Sequence, residues 1–300
     1  MEAKLLNELQ KIEGLEVKPD TDLGQLTTMR LIAKGDLLII RSLTALCQTI
    51  KTLTTFQTKY TPIGLGANTI ISEIAPHPYL KLDLPFNRKE LEELKEEYVL
   101  PASLTLGSLS KCASTFGLKG WEVFTGIPAS LGGAIFMNAG TNLGEIGSLV
   151  KKIRLVNNQG EIETVIPNET TFSYRKNNFL KVGDVVFEVT LGHKGIDSNV
   201  GNLIQDYLKK RAASQPLSKR TCGCVFKNRK AHPACRAGQS LDIIGFKGFT
   251  YKNIRVSPVH ANFFEHEGGA SRSDLVDMAK IINEELRLQM GVTLEFEVRV

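Results

Sequence analysis

The sequence predicts an α+β fold built from several small units. Three observations support this prediction: an amphipathic helix between two apolar strands near the N-terminus, a strand pair joined by a tight turn in the middle of the chain, and a long helix followed by an alternating strand at the C-terminus. The 300 residues are 42% hydrophobic and 23% charged, an ordinary composition for one large globular domain or two to three small ones.

The N-terminal part has the pattern of a β-α-β unit behind a short helix. The first twenty residues carry apolar side chains at helical spacing and predict an amphipathic lead-in helix. LLII (37–40) is typical of a buried strand, and residues 42–53 predict a helix with Ser42 as its N-cap. PIGLGANTII (62–71) then predicts a strand that is interrupted by a glycine turn.

The middle of the chain contains further short strand and helix patterns. The prolines of residues 75–85 indicate a boundary between units, and residues 103–116 predict a helix. Two runs joined by NNQG predict a hairpin over residues 152–166. Residues 185–191 predict another strand, and residues 202–214 predict a helix.

The C-terminal part has the clearest local pattern. Residues 274–290 carry apolar side chains on one face and predict a helix, with Ser273 as N-cap and Gly291 as terminator. VTLEFEVRV (292–300) alternates strictly between apolar and polar residues and predicts a strand. Taken alone, its polar face fits a solvated surface. That face carries Thr293, Glu295, Glu297 and Arg299.

Charge and hydropathy exclude several classes of protein. The net charge of +5 arises from 37 basic and 32 acidic residues spread along the chain, which fits an anionic small substrate or cofactor better than a nucleic acid. No apolar run approaches a membrane span, and the N-terminus lacks the pattern of a signal peptide. We therefore expect a cytoplasmic protein that binds neither nucleic acid nor membranes and is a monomer or a weak oligomer.

The five cysteines are odd in number and scattered, which indicates thiols in a reducing compartment. Cys222, Cys224, His232 and Cys235 include the ligand types of a zinc site, but their C-x-C spacing is too short for a structural zinc knuckle, and we predict no metal. On an extended segment the Cα atoms of Cys222 and Cys224 would lie roughly 7 Å apart, which is near or beyond the largest Cα–Cα distance that a disulfide can bridge. A functional thiol and plain core cysteines remain as alternatives.

Two glycine-rich segments have the composition of anion-binding loops. GIPASLGG (126–133) and IGLGAN (63–68) allow backbone N–H groups to approach a phosphate, and Pro128 could open a short helix. Neither segment matches a P-loop or a dinucleotide fingerprint. Two such loops in consecutive units favour a dinucleotide cofactor more than either does alone.

At this level of detail the sequence resembles the UDP-N-acetylenolpyruvoylglucosamine reductase family, a family of flavoenzymes. The resemblance runs from about residue 20 to the C-terminus and rests on motifs in the family's order and approximate spacing. These motifs are TTMRLIAKGD (27–36), PIGLGAN (62–68), GIPASLGGAIFMNAGTNLGEI (126–146), SYR (173–175), R-x3-QPL (211–217), GCVFKN (223–228), AG then GFKG (237–248), VSPVHANFF (256–264) and LEFEVR (294–299).

The resemblance implies the fold and the reaction. We expect an FAD-binding PCMH-type flavoprotein with two subdomains, 21–80 and 81–198, and an α+β substrate domain, 199–300, that ends in a catalytic strand. The chain lacks an insert that could be a tyrosine-bearing loop, which is typical of the family's shorter, second type. The expected reaction reduces UDP-N-acetylglucosamine enolpyruvate to UDP-N-acetylmuramate with FAD and NADPH, a step of peptidoglycan synthesis on which cell-wall growth, cell shape and cell division depend.

The resemblance also implies the catalytic residues. In the family a serine in GSVFKN protonates the substrate, and Cys224 stands at that position. With an ordinary pKa near 8.5 a thiol would be roughly nine-tenths protonated at pH 7.5, and neighbouring Lys227 could lower that pKa. Arg175 and Glu297 would stabilise the enolate that develops on the substrate carboxylate.

The remaining site residues are carried over in the same way. Arg211, Lys227, Asn228 and Arg299 would contact the substrate, since guanidinium groups suit both a diphosphate and a carboxylate. The cofactor residues would be Gly64, Leu65, Gly66, Ala67, Asn68, Gly126, Ile127, Pro128, Ala129, Ser130, Gly132, Gly133, Ala134, Asn138, Ala139 and Gly140.

Several positions depart from the family pattern. Ile32 and Ala33 replace paired glycines, and Leu65 and Ala67 interrupt a GGGSN loop, so we expect weaker retention of FAD. Glu265 stands near an expected asparagine. Two alternatives remain open: a related FAD oxidoreductase with another substrate, and a metal-bearing binding protein on the same fold without catalytic activity.

Overall fold

The computed structural model describes residues 1–228 and 236–300. The chain forms two compact units, each assembled from separate segments of the sequence. The first unit contains residues 1–19, 36–65 and 77–209, and the second contains residues 20–35, 66–76 and 210–300.

The N-terminal segments form a four-stranded sheet. The elements are α1 (Ala3–Leu9), β1 (Leu15–Asp22), β2 (Lys34–Ile40), α2 (Leu43–Thr55), β3 (Thr61–Ile63) and β4 (Tyr79–Leu82). The strand order is β1-β2-β4-β3, and both β2 and β3 run parallel to β4. The predicted strand–helix–strand unit is confirmed, and Ser42 caps α2 by accepting the N–H of Ala45.

Two predictions for this region are wrong. The lead-in helix ends at Leu9, and Leu15 begins β1 directly after Gly14, whose φ of +82° suits the turn before the strand. The strand predicted over residues 62–71 ends at Ile63, and beyond the glycine turn Thr69 forms only an isolated bridge with Arg299. Residues 75–85 contain β4, which lies between β2 and β3 in the sheet, and they also contain the point, between residues 76 and 77, at which the chain passes from the second unit to the first.

The middle of the chain forms a second four-stranded sheet, in the order β5-β12-β8-β9. The predicted hairpin, the predicted strand near residue 188 and both predicted helices are confirmed. The core of this part includes Trp121, Tyr98 and Phe124. The elements are β5 (Glu97–Pro101), α3 (Leu106–Phe116), α4 (Leu131–Met137), β6 (Gly140–Thr141), β7 (Gly144–Glu145), β8 (Val150–Val156), β9 (Ile162–Val165), β10 (Phe172–Ser173), β11 (Lys176–Asn177), β12 (Val185–Gly192) and α5 (Val200–Ser214).

The C-terminal part completes the second unit. Its elements are α6 (Ala237–Ile243), β13 (Thr250–Tyr251), β14 (Ile254–Val256), β15 (Phe264–Glu265) and α7 (Arg272–Met290). The two short N-terminal segments of this unit contribute Met29, Leu31 and Ile70 to its core. Within the residues described, no helix has the length and apolarity needed to cross a membrane.

Helix α7 follows the predicted pattern, with one change at its N-terminus. Ser271 is the N-cap in place of Ser273, and Ser271 and Asp274 form a reciprocal capping box. Gly291 ends the helix at φ +65°, as predicted. The buried face carries Leu275, Met278, Ile282 and Leu286.

The C-terminal strand prediction is wrong in form but correct in burial pattern. Residues 292–300 form isolated bridges, Phe226 with Phe296 and Thr69 with Arg299, rather than a regular strand. Leu294 and Val298 are nevertheless buried. The alternation therefore arises from contacts with two separate segments.

Glu73 reinforces the start of α7. Its Oε1 accepts hydrogen bonds from the hydroxyl of Ser273 at 2.7 Å and from the backbone N–H of Ser273 at 2.9 Å. These bonds, the hydroxyl bond foremost, lower the pKa of Glu73 from 4.5 to about 2. Because the folded-state pKa is depressed, the stabilisation is complete above about pH 4.5 and is lost as the pH falls towards about 2.

We expect Glu73→Gln to lower the free energy of unfolding near neutral pH by about 1 kcal/mol, because a charged acceptor at a helix N-terminus becomes neutral. This difference should shrink as the pH falls from about 4.5, where the wild-type carboxylate begins to be protonated in the unfolded chain. Urea denaturation followed by circular dichroism at several pH values measures it. A difference that is constant down to about pH 3 would contradict the assignment.

Candidate active site

The stretch TCGCVFKN (221–228) is an extended segment of the second unit. On one side it is hydrogen-bonded to the segment that contains Asn262 and Phe263. Cys224 forms an antiparallel bridge with Phe263, and the N–H of Val225 donates to the carbonyl of Asn262 at 2.9 Å. Main-chain bonds therefore set the direction of the backbone at Cys224.

On its other side this segment is bonded to the C-terminal residues. The carbonyl of Val225 accepts the N–H of Glu297 at 2.8 Å and that of Val298 at 3.4 Å, and the N–H of Lys227 donates to the carbonyl of Glu295 at 2.9 Å. Cys224 and Glu297, which are 73 positions apart in the sequence, consequently belong to directly bonded segments. The structure thus brings two of the three predicted catalytic residues together within one unit.

Asn262 is a residue whose role the sequence did not reveal. Its side chain, 1% exposed, accepts the N–H of Phe226 at 2.9 Å and donates to the carbonyl of Phe226 at 2.8 Å. The side-chain amide thus pairs with the backbone as a neighbouring strand would. The one available signal was an asparagine inside the apolar motif VSPVHANFF, since a buried amide needs partners.

Asn68 attaches the predicted cofactor loop to the same C-terminal residues. Its side chain donates to the carbonyl of Glu297 at 3.1 Å, and its carbonyl accepts the N–H of Arg299 at 3.1 Å. Arg299 is exposed beside this loop segment. The second unit therefore places one predicted cofactor residue next to one predicted catalytic residue.

The two neighbouring cysteines have different environments. Cys222 is 2% exposed, and burial raises the pKa of its thiol to about 12, which makes a thiolate at this position unfavourable. Cys224 is half-buried. This contrast supports a structural role for Cys222 and leaves Cys224 as the accessible thiol of the pair.

The zinc-ligand pattern of the sequence extends beyond the described residues. His232 and Cys235 lie outside the described residues, so the C-x-C-x7-H-x2-C arrangement stays untested. Among residues 1–228 and 236–300, no group of three or more His, Cys, Asp or Glu side chains is arranged to hold a metal ion.

Two predicted substrate residues have partners within the protein. The ammonium group of Lys227 lies 3.1 Å from Glu295 Oε2, and both side chains are exposed. Asn228 Oδ1 accepts the N–H of Ala237 at 3.1 Å and so satisfies the first turn of α6. Lys227 has further donors for a ligand, whereas Asn228 can still offer its amide N–H groups.

Arg175 lies in the first unit, at the tip of the β10–β11 hairpin. Its backbone adopts φ +54°, and its guanidinium carbon lies 5.3 Å from the ring centre of Tyr174. Arg211, a predicted substrate residue, belongs to the second unit and is half-buried near the C-terminal end of α5.

The glycines of the two predicted cofactor segments are explained by close packing. A Cβ atom on Gly64 would collide with Ser130 Oγ, and one on Gly132 would lie 2.9 Å from Ala102 Cβ. The prediction that Pro128 opens the helix is wrong: α4 begins at Leu131, because Ser130 caps it through the N–H of Gly133 at 3.3 Å. The other predicted cofactor residues of the first unit are Leu65, Gly126, Ile127, Ala129, Ala134, Asn138, Ala139 and Gly140.

The two segments differ in the backbone donors that they can offer a ligand. The first N–H groups of α4 are used internally, with Leu131 bonded to Leu104 at 2.7 Å and Gly132 to Ala102 at 2.8 Å. By contrast, the N–H groups of residues 65–68, which include Gly66 and Ala67, donate to no acceptor among the described residues. Successive unbonded N–H groups in a partly buried loop suit the phosphates and carbonyls of FAD.

Comparison with known proteins agrees with this arrangement. A family model described as an FAD binding domain matches residues 37–165, and one described as the UDP-N-acetylenolpyruvoylglucosamine reductase C-terminal domain matches residues 215–300. A crystal structure of UDP-N-acetylenolpyruvylglucosamine reductase from Thermus caldophilus superimposes with a TM-score of 0.79 at 25% identity, covering 95% of this chain and 99% of that one.

Relatives are similar over most or all of the chain. The UDP-N-acetylenolpyruvoylglucosamine reductase of Pediococcus pentosaceus is 31% identical over 302 residues, covering 100% of this chain and 98% of the relative. That of Chlamydia pneumoniae is 30% identical over 240 residues, covering 79% of this chain and 76% of the relative. Since sequence and fold both match over most of its length, the chain belongs to the UDP-N-acetylenolpyruvoylglucosamine reductase family.

Proposed function

We propose that the chain reduces the enolpyruvyl group of UDP-N-acetylglucosamine enolpyruvate, using FAD and NADPH, and so forms UDP-N-acetylmuramate. The observation that carries this proposal is the direct bonding of the Cys224 segment to the Glu297 segment through Val225, because it places a thiol and a carboxyl group on adjacent segments. A proton donor and a carboxyl group are the two functions that the reduction requires of this unit.

When bound and reduced by NADPH, FAD would supply a hydride to the β-carbon of the enolpyruvyl double bond. Cys224 donates its thiol proton to the α-carbon, so that hydride and proton together saturate the double bond. Arg175 and Glu297 stabilise the negative charge that develops on the substrate carboxylate before protonation. The thiol then regains a proton from solvent.

The other site residues bind and orient. The N–H groups of residues 65–68 hold the cofactor, together with the segment 126–134. Arg211, Lys227, Asn228 and Arg299 hold the diphosphate and carboxylate groups of the substrate. We place the protein in the cytoplasm, a reducing compartment in which the unbridged thiols of Cys47, Cys112 and Cys222 are expected, and we expect a monomer or weak oligomer.

The experiment that tests this function follows flavin absorbance under anaerobic conditions. Protein reconstituted with FAD should lose its visible band on addition of NADPH and recover it on addition of UDP-N-acetylglucosamine enolpyruvate. Loss of the visible band with NADPH but no recovery on addition of this substrate would favour a related oxidoreductase with another substrate. Failure to bind FAD at all, with stoichiometric zinc in the purified protein, would favour a metal-bearing binding protein.

Substitution of Cys224 tests the proton donor. We expect Cys224→Ser to keep most of the turnover, and Cys224→Ala to slow the reoxidation of flavin by substrate by about 100-fold or more, since general acid catalysis contributes about that much. Reduction by NADPH should be unchanged, and stopped-flow absorbance separates the two steps. Cys222→Ala is the matched control, because that thiol is buried. An alanine variant at position 224 with a normal reoxidation rate would exclude the assignment.

Substitution of Leu65 tests the crowding of the cofactor loop. Leu65 is half-buried among the unbonded N–H groups of its loop, where the family pattern has glycine. Leu65→Gly should lower the dissociation constant for FAD by about fivefold, the equivalent of about 1 kcal/mol. Ile74→Ala is a control, because Ile74 is 81% exposed. Unchanged or weaker FAD binding in fluorescence titration would show that Leu65 does not crowd the cofactor.

A further inference from the structure

We infer that Asn138 and Asn177 are positioning residues, which hold the hairpin that carries Arg175 against the last turn of α4. This inference rests on the proposed role of Arg175 in the substrate half-reaction. It gives Asn138 a different role from the cofactor contact that the family resemblance implied.

The hairpin is too short to fix Arg175 by itself. Each strand has two residues, paired as Phe172 with Asn177 and Ser173 with Lys176. An isolated two-stranded hairpin is at best marginally stable in water. Arg175 also adopts φ +54°, a conformation that costs a non-glycine residue about 1 kcal/mol or more. The surroundings must therefore determine the hairpin's position.

Asn138 supplies one attachment. It is 1% exposed and ends α4 with φ +41°, a conformation that asparagine tolerates. Its side-chain nitrogen donates to the carbonyl of Ser173 at 3.0 Å and to Glu145 Oε2 at 2.8 Å, and its oxygen accepts the N–H of Gly147 at 3.1 Å. Both amide hydrogens are used within the protein, so the side chain has no donor left for a cofactor.

Asn177 supplies a second attachment, from the other strand. Its side-chain nitrogen donates to the carbonyl of Phe136, in the last turn of α4, at 2.7 Å. Its oxygen accepts the N–H of Leu180 at 3.0 Å. Each strand of the hairpin therefore has one bond to the same end of α4, so neither strand can move away from the helix without breaking a hydrogen bond.

Packing leaves little space for the hairpin to move. The ring of Phe172 lies edge-on to that of Phe179, with centroids 5.7 Å apart. A Cβ atom on Gly147 would lie 2.7 Å from the Phe172 ring and 2.9 Å from Asn138 Oδ1. Because Gly147 has no side chain, the Phe172 ring and the Asn138 amide can both pack against its backbone.

These attachments link Arg175 to the predicted cofactor segment. Helix α4 has seven residues and is about 10 Å long, with Ser130 at its start and Asn138 at its end. The segment expected to hold the cofactor and the hairpin that carries Arg175 are thus attached to opposite ends of one short helix. Loss of the Asn138 bonds should displace Arg175 while the cofactor segment is retained.

Asn138→Asp is the first test. Aspartate has the same shape, tolerates positive φ and keeps the acceptor for Gly147, but it cannot donate to Ser173 and it repels Glu145. We expect FAD affinity and the NADPH half-reaction to stay within about twofold, and flavin reoxidation by substrate to slow by about tenfold or more, as expected when a charge-stabilising donor is misplaced.

Glu145→Gln is the matched control, because a glutamine oxygen can still accept the Asn138 bond. In the double variant N138D/E145Q, the amide introduced at position 145 can donate to the carboxylate introduced at position 138 and remove the repulsion. Thermal stability should then recover while reoxidation stays slow, because the bond to Ser173 is still missing. Recovery of both would show that repulsion, and not position, caused the defect, and would overturn the inference.

A double-mutant cycle with Arg175→Ala decides whether Asn138 acts through Arg175. If it does, N138D should slow reoxidation by less than about twofold in the R175A background. An equal slowing in both backgrounds, or a loss of FAD affinity that parallels the rate, would overturn the inference. If N138D does not fold, the same cycle is made with Asn177→Asp, which keeps the acceptor for Leu180 and loses the bond to Phe136.

The cycle also separates this inference from the proposed function. Normal reoxidation in R175A alone would remove Arg175 from the reaction and so contradict the function assigned to it. Slow reoxidation in R175A with normal reoxidation in N138D would leave that function standing and reject only the positioning role.

Discussion

The candidate site depends above all on the carbonyl of Val225. This oxygen accepts the backbone N–H groups of Glu297 and Val298, and so joins the segment of Cys224 to the C-terminal residues. The amide of Asn262 secures the same segment from the other side by pairing with Phe226. Since these bonds involve the backbone or a buried amide, the segments that carry the thiol and the carboxyl group are joined through main-chain and amide groups.

Asparagine amides repeat this role elsewhere in the chain. Asn68 attaches a predicted cofactor loop to Glu297 in the second unit, and Asn138 attaches the Arg175 hairpin to α4 in the first. A neutral amide offers donors and an acceptor without the desolvation penalty of a buried charge. The charged groups of the site are therefore positioned by neutral asparagine amides. Because these amides do not titrate, changes in pH across the neutral range should leave their hydrogen bonds intact.

The sequence predicts most of the regular elements but few of the bonds between distant segments. Periodicity located α2, the hairpin of β8 and β9, and α7, because helix and strand patterns are local. It did not locate the bridges of residues 292–300, whose partners Phe226 and Thr69 lie far away in the sequence. Family resemblance indicated Cys224, Arg175 and Glu297, whereas the bonds of Asn262 and Asn138 depend on the tertiary structure and have no local sequence pattern. The first helix ends at Leu9, earlier than the leucine spacing suggested, and Gly14 at φ +82° lies in the turn that leads into β1.

The pH dependence of the substrate half-reaction tests the central claim most directly. If Cys224 is the proton donor, the rate at which substrate reoxidises the flavin should fall at alkaline pH, because a thiolate has no proton to give. The Cys224→Ser variant should lack this decrease, since a serine hydroxyl does not ionise in that range. The same alkaline decrease in both proteins would show that another group donates the proton and would contradict the account.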